Sequence, residues 1–122
     1  MVNHNDELLS FAHKMLRAKS WEQSNLLQKT NEIGVTLLLI VIIANREGLE
    51  INLKTLSQSV TFSQRSVAYT IKNLIALGWL NLIQDANDKR RQLIYSTPAL
   101  LNLFAQYKGY LIPIIPFQQT FT

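Results

Sequence analysis

The sequence predicts a mainly α chain carrying one small β-hairpin. Three observations point there. Apolar residues recur at helical spacing through most of the 122 residues. Capping residues punctuate that pattern, with Asn31, Asn52, Ser63 and Thr97 ahead of helical segments and Gly48 and Gly78 behind them. Two short stretches, Leu80 to Gln84 and Gln92 to Ser96, instead alternate partly with period two, and a polar segment joins them.

The elements follow in order. Asn5 or Asp6 offers an N-cap to a first amphipathic helix, with Leu8, Leu9, Phe11, Ala12, Met15 and Leu16 on its apolar side. Ser20-Trp-Glu-Gln23 reads as a capping box that restarts or kinks this helix, which continues to about Lys29. Thr30 or Asn31 opens the next helix, and Glu32 suits the positive end of its dipole. Its run from Ile33 to Ala44 is apolar almost all round, which predicts burial on most sides. The β-branched content also permits a strand here, but the length and flanking caps favour helix. Asn52 or Leu53 opens a short helix through Ser59. Thr61-Phe-Ser63 is a turn, and Gln64 to about Leu77 forms the second helix of the pair. The hairpin follows. Thr97 then caps a last helix, with Pro98 at its first position and an apolar side reaching Tyr107. The tail from Gly109 to Thr122 holds Pro113 and Pro116, is apolar, and reads as irregular.

A 48% hydrophobic content supports one well-packed domain over residues 1–122. It is high for so short a chain, so part of the apolar surface is expected to hide in a partner, most simply a second copy. No cysteine is present, which removes disulfides, thiol catalysis and cysteine-based zinc sites. The N-terminus lacks the order of a signal peptide, and the run from Val35 to Ala44 falls short of the roughly 20 residues a bilayer requires. The expectation is a cytoplasmic protein without a membrane partner.

Charge is the strongest functional signal. Between Lys54 and Arg91 stand six cations (Lys54, Arg65, Lys72, Lys89, Arg90 and Arg91) and only two acids, Asp85 and Asp88. That stretch therefore holds the entire net charge of +4, since cations and acids balance elsewhere. A basic excess confined to a helix-turn-helix and the tip of a hairpin is the footprint of a polyanion-binding surface, here double-stranded DNA. On the second helix Gln64, Arg65, Ala68, Tyr69 and Lys72 fall on one stripe at about 100° per residue. Ser63, Gln64, Arg65, Ser66 and Tyr69 stand near the helix start, the end that meets base edges in a major groove. Arg65 has the fork for guanine and Gln64 the amide for adenine. Lys72 suits phosphate, as do Lys54 and Thr55 at the start of the preceding helix. Lys89, Arg90 and Arg91 form a hairpin tip able to enter a minor groove. Asp88 beside them has a physical use as the brace of an arginine fork.

These residues carry a resemblance. Ser66-Val67, Gly78-Trp79-Leu80, Asp85-Ala-Asn-Asp88-Lys-Arg90 and Ser96-Thr97 follow in the order and spacing of the winged helix of the MarR family of bacterial regulators. In size the chain is nearer that family's compact SarA-like branch. The resemblance implies a winged helix over residues 31–97, with flanking segments 1–30 and 98–122 joining two copies into a homodimer. It also implies that Arg90 enters the minor groove with Asp88 bracing it. A small aromatic effector, bound between the dimer helices and the winged helix, is a further implication. The chain departs from the family pattern on the first wing strand, where Asn81, Leu82 and Ile83 replace frequent basic residues, and at its short C-terminus. Trp79 takes the position of a core wedge, whereas Trp21 fits core or dimer interface equally.

Enzyme chemistry is not expected. Only His4 and His13 are histidines, the acids are scattered, and four glycines are too few for a nucleotide loop. No catalytic residue, metal ligand or cofactor is assigned. Two alternatives keep the fold and change the role: a protein-interaction module or anti-repressor, and a plasmid replication or partition factor.

Overall fold

The structure, a computed structural model, describes residues 4–111. In chain order it forms α1 (His4–Asn25), α2 (Glu32–Arg46), α3 (Leu53–Gln58), α4 (Gln64–Ala76), β1 (Leu80–Gln84), β2 (Gln92–Ser96) and α5 (Pro98–Leu111). The tail from Ile112 onward lies outside the described residues.

The cap residues explain where the central helices begin. Asn31 accepts the N–H of Gly34 at 2.9 Å, and Asn52 and Thr55 form a reciprocal capping box at α3. Ser63 accepts the N–H of Ser66 at 3.1 Å and starts α4. Gly48 and Gly78 both adopt positive φ, at 73° and 80°, which lets the chain leave α2 and α4 at a sharp angle. Thr97 starts α5, accepting the N–H of Leu100 at 3.2 Å while donating its hydroxyl to the carbonyl of Gly78 at 2.7 Å.

The core lies where α2 crosses α4 and the hairpin. Leu37, Leu38 and Val41 of α2 meet Leu56, Val67, Leu74, Leu80, Ile94 and Leu100, all inaccessible to solvent. Burying each such side chain contributes about 1.5–3 kcal/mol, which makes this the main source of stability. Trp79 is buried in this core. The two strands pair antiparallel, Leu80 opposite Ser96 and Gln84 opposite Gln92. The N–H of Ile94 donates to the carbonyl of Ile51 at 2.8 Å, tying β2 to the segment before α3. The Asn45 side chain completes that junction. Its amide donates to the Ile94 carbonyl at 3.2 Å, and its oxygen accepts the Ser96 N–H at 2.8 Å.

Four expectations need correction. The first helix is already formed at His4, so Asn5 and Asp6 lie within its first turn. It also runs unbroken through Ser20, because a capping box acts only where backbone N–H groups lack an i−4 carbonyl, and those of Ser20 to Gln23 have theirs. Its apolar N-terminal half, Leu8 through Leu16, is open to solvent, and only the C-terminal half reaches the core, through Trp21. Helix α2 is likewise less enclosed than its composition suggests, since Leu39 and Ile43 are exposed. Finally, α5 continues past Tyr107 and through Gly109 to Leu111. Glycine costs a helix interior about 1 kcal/mol. Arg17 offsets that cost: its Nε donates to the Tyr110 carbonyl at 2.8 Å, and its guanidinium sits 3.9 Å from the Tyr110 ring centroid.

Candidate nucleic-acid interface

Helix α4 is divided lengthwise. Val67, Thr70, Ile71 and Leu74 are buried, while Gln64, Arg65, Tyr69 and Lys72 are exposed and Ala68 is half-buried. The stripe read from spacing is therefore a solvent face, and its aromatic member Tyr69 is 74% exposed. Arg65, Ser66 and Tyr69 line one cleft with Thr70 and with Asn31 and Ile33 at the start of α2, about 250 Å³ in volume. Ser63 and Ser66 are occupied with each other, hydroxyl to hydroxyl at 2.9 Å, in the N-cap. Thr55 is similarly spent on its capping box with Asn52, which leaves Lys54 as the exposed cation of α3.

The hairpin tip sorts its three cations. Lys89 and Arg90 are exposed. Asp88 accepts the backbone N–H of Arg90 at 3.0 Å and lies 3.4 Å from its Nε. The Gln84 side chain donates to the Lys89 carbonyl at 2.6 Å and closes the turn. Arg91 behaves differently. Its guanidinium turns back toward Asp85 and Glu50, at 3.9 Å and 3.7 Å. A tip of three consecutive cations conceals that division in the sequence. Asn45, which anchors β2, was also invisible there, because its partners lie about fifty positions away.

A second concavity lies between α1, α2 and α5. It measures about 430 Å³ and is lined by Val35, Leu39, Phe104, Tyr107 and Leu111, together with the charged Lys14, Glu22 and Lys108. Burial and the Glu22 carboxylate both push the Tyr107 hydroxyl above its ordinary range. That hydroxyl donates to Glu22 at 2.7 Å.

No protein-family model matches the chain, and no curated protein matches it by sequence. Solved structures do match. S. aureus MepR in complex with DNA superposes with a TM-score of 0.68 at 17% identity, covering 97% of this chain and 90% of that one. S. aureus MepR bound to ethidium bromide gives 0.72 at 15% identity, covering 99% and 84%. Apo wild-type MarR from E. coli gives 0.63 at 13% identity, covering 91% and 78%. At such identities the likeness speaks for the fold. Helix-turn-helix α3–α4, the β1–β2 wing and the framing helices α1 and α5 give this chain a winged-helix fold, similar to that of MepR and MarR.

Proposed function

We propose that this chain is a DNA-binding transcriptional regulator, acting in the cytoplasm as a homodimer and without enzymatic activity. The observation that carries the reading is the division of α4. Its polar stripe of Gln64, Arg65, Tyr69 and Lys72 is free, on the helix that enters the major groove in a winged helix, and an exposed cationic wing tip follows it. The likeness to MepR, one of whose structures is a DNA complex, supports the same reading. In it Gln64 and Arg65 read base edges, Tyr69 adds apolar contact, Lys54, Lys72 and Lys89 hold phosphates, and Arg90 enters the minor groove braced by Asp88. The capping hydroxyls of Thr55, Ser63 and Ser66 contribute by fixing the helix starts.

Dimerisation through residues 1–30 and 98–122 is supported by the exposed apolar half of α1. Two copies about a two-fold axis would read half-sites about one helical turn apart. The groove beside Tyr107 has the size and apolar lining for a small aromatic effector.

A gel-shift titration against selected and random duplexes tests the base-reading assignment. Arg65→Ala should narrow the gap between the two by about 1–3 kcal/mol. Arg90→Ala should weaken both alike. If both variants bind as the native chain does, the assignment fails.

A further inference from the structure

Arg91 joins three parts of the chain. Its backbone N–H donates to the Asp88 carbonyl at 3.0 Å, and its own carbonyl accepts the Asp85 N–H at 2.9 Å, which closes the wing turn. Its Nη1 lies 3.9 Å from Asp85 Oδ2 and its Nη2 lies 3.7 Å from Glu50 Oε1. Asp85 is buried and spends its other oxygen on the Asn87 N–H at 2.9 Å. Glu50 precedes Ile51, whose carbonyl holds the N–H of Ile94. Arg91 thus reaches across to the body beside the backbone bond that fastens β2. Its neighbour Arg90 is 93% exposed and pairs with Asp88.

We infer that Arg91 is a positioning residue: held within the wing turn by Asp85, it clamps the wing to the body through Glu50 and sets the angle at which Lys89 and Arg90 are presented, without itself touching nucleic acid. The guanidinium already faces two carboxylates. Reaching for a phosphate would take the guanidinium from the buried Asp85 and leave that carboxylate without its counter-ion. The planar fork matters because it can face two carboxylates at once, which a lysine ammonium does less well. The other fastenings of β2, at Ile94 and Ser96, lie on the far side of the strand from the tip. Releasing the Arg91 side chain removes the hold on Glu50 and leaves the hairpin, still closed by its own backbone bonds, to pivot on them.

This inference rests on the DNA-binding reading for one of its two readouts. The experiment compares the full native chain with Arg91→Ala, Arg91→Lys, Glu50→Gln and the Arg91→Ala/Glu50→Gln double variant. Duplex affinity is followed by fluorescence anisotropy across a potassium chloride series, and hydrogen exchange of the hairpin amides is followed without DNA. Arg91→Ala and Glu50→Gln should each weaken binding about fivefold, and the double variant no more than the worse single one. The log–log salt slope should stay at the native value, and Arg91→Lys should recover part of the loss. Exchange of the Arg91 amide should quicken in both single variants. Glu50→Gln is the sharpest arm, because removing an anion near DNA would otherwise raise affinity. The clamp is overturned if Arg91→Ala lowers the slope by about 0.9 per protomer, as a lost phosphate contact would, while Glu50→Gln binds as well as the native chain or better. If the native chain binds no duplex, the functional reading fails instead. Exchange still decides the clamp in that case, and unchanged amides in both variants overturn it.

Discussion

Trp21 of α1 and Tyr107 of α5 stack face to face, with ring centroids 4.2 Å apart and planes 12° from parallel. The Tyr107 hydroxyl extends the contact, donating to Glu22 at 2.7 Å and approaching the Ala18 carbonyl at 3.3 Å. One side chain thereby joins the framing helices by stacking and by a charge-assisted bond, and it does so at the edge of the groove between α1, α2 and α5.

Tyr107→Phe keeps the stack and removes the bond. Thermal or denaturant unfolding at neutral pH should show a loss of about 1–2 kcal/mol, since the Glu22 carboxylate loses a partner. The pH dependence has a definite sign. The folded state raises the pKa of Tyr107 above its unfolded value, so the folded chain keeps the proton after the unfolded chain has released it. Stability is therefore fully present below about pH 10 and falls as pH rises beyond it. The phenylalanine variant should lose less stability over that alkaline range than the native chain.

Gly34 of α2 is a second sensitive position. A Cβ placed there would stand within 3.0 Å of Oγ1, Cγ2 and Cβ of Thr30, and those atoms sit on a short, stiff side chain. Ordinarily an alanine in place of a helical glycine stabilises by up to about 1 kcal/mol. Here the overlap should win, and Gly34→Ala should cost about 1–3 kcal/mol in denaturant unfolding. The Gly34→Ala/Thr30→Ala double variant should recover most of that loss.

The exposed half of α1 bears on assembly. Phe11 is 59% exposed and Leu16 67%, on a helix whose other half is packed against α5. Light scattering should report a mass near twice 14.0 kDa for the native chain and near 14.0 kDa for the Phe11→Glu/Leu16→Glu variant, with circular dichroism unchanged. The proposed dimer surface is wrong if both chains have the same mass.

The elements were readable wherever one residue type carries a local physical meaning. Asn31, Asn52, Ser63 and Thr97 cap as their side chains allow, and Gly78 turns with positive φ. The buried and free faces of α4 followed from periodicity alone, because a helix fixes which positions share a side. What escaped the sequence depends on partners distant in the chain. Gly109 is carried in the helix by Arg17, ninety-odd positions earlier, and Arg91 is turned inward by Glu50. Ser20 misled for the opposite reason: its local pattern is sound, but the helix around it was already complete.

In the proposed function Lys54, Lys72 and Lys89 hold DNA phosphates and Arg90 enters the minor groove, so that four cations neutralise phosphate charge in each copy of a dimer. The most direct test is the affinity of the purified full chain for a duplex, measured as a function of potassium chloride concentration. Eight neutralised phosphates predict a log–log slope of about −7. A slope near zero, or binding no stronger than that of an unrelated protein of net charge +4, would contradict the account.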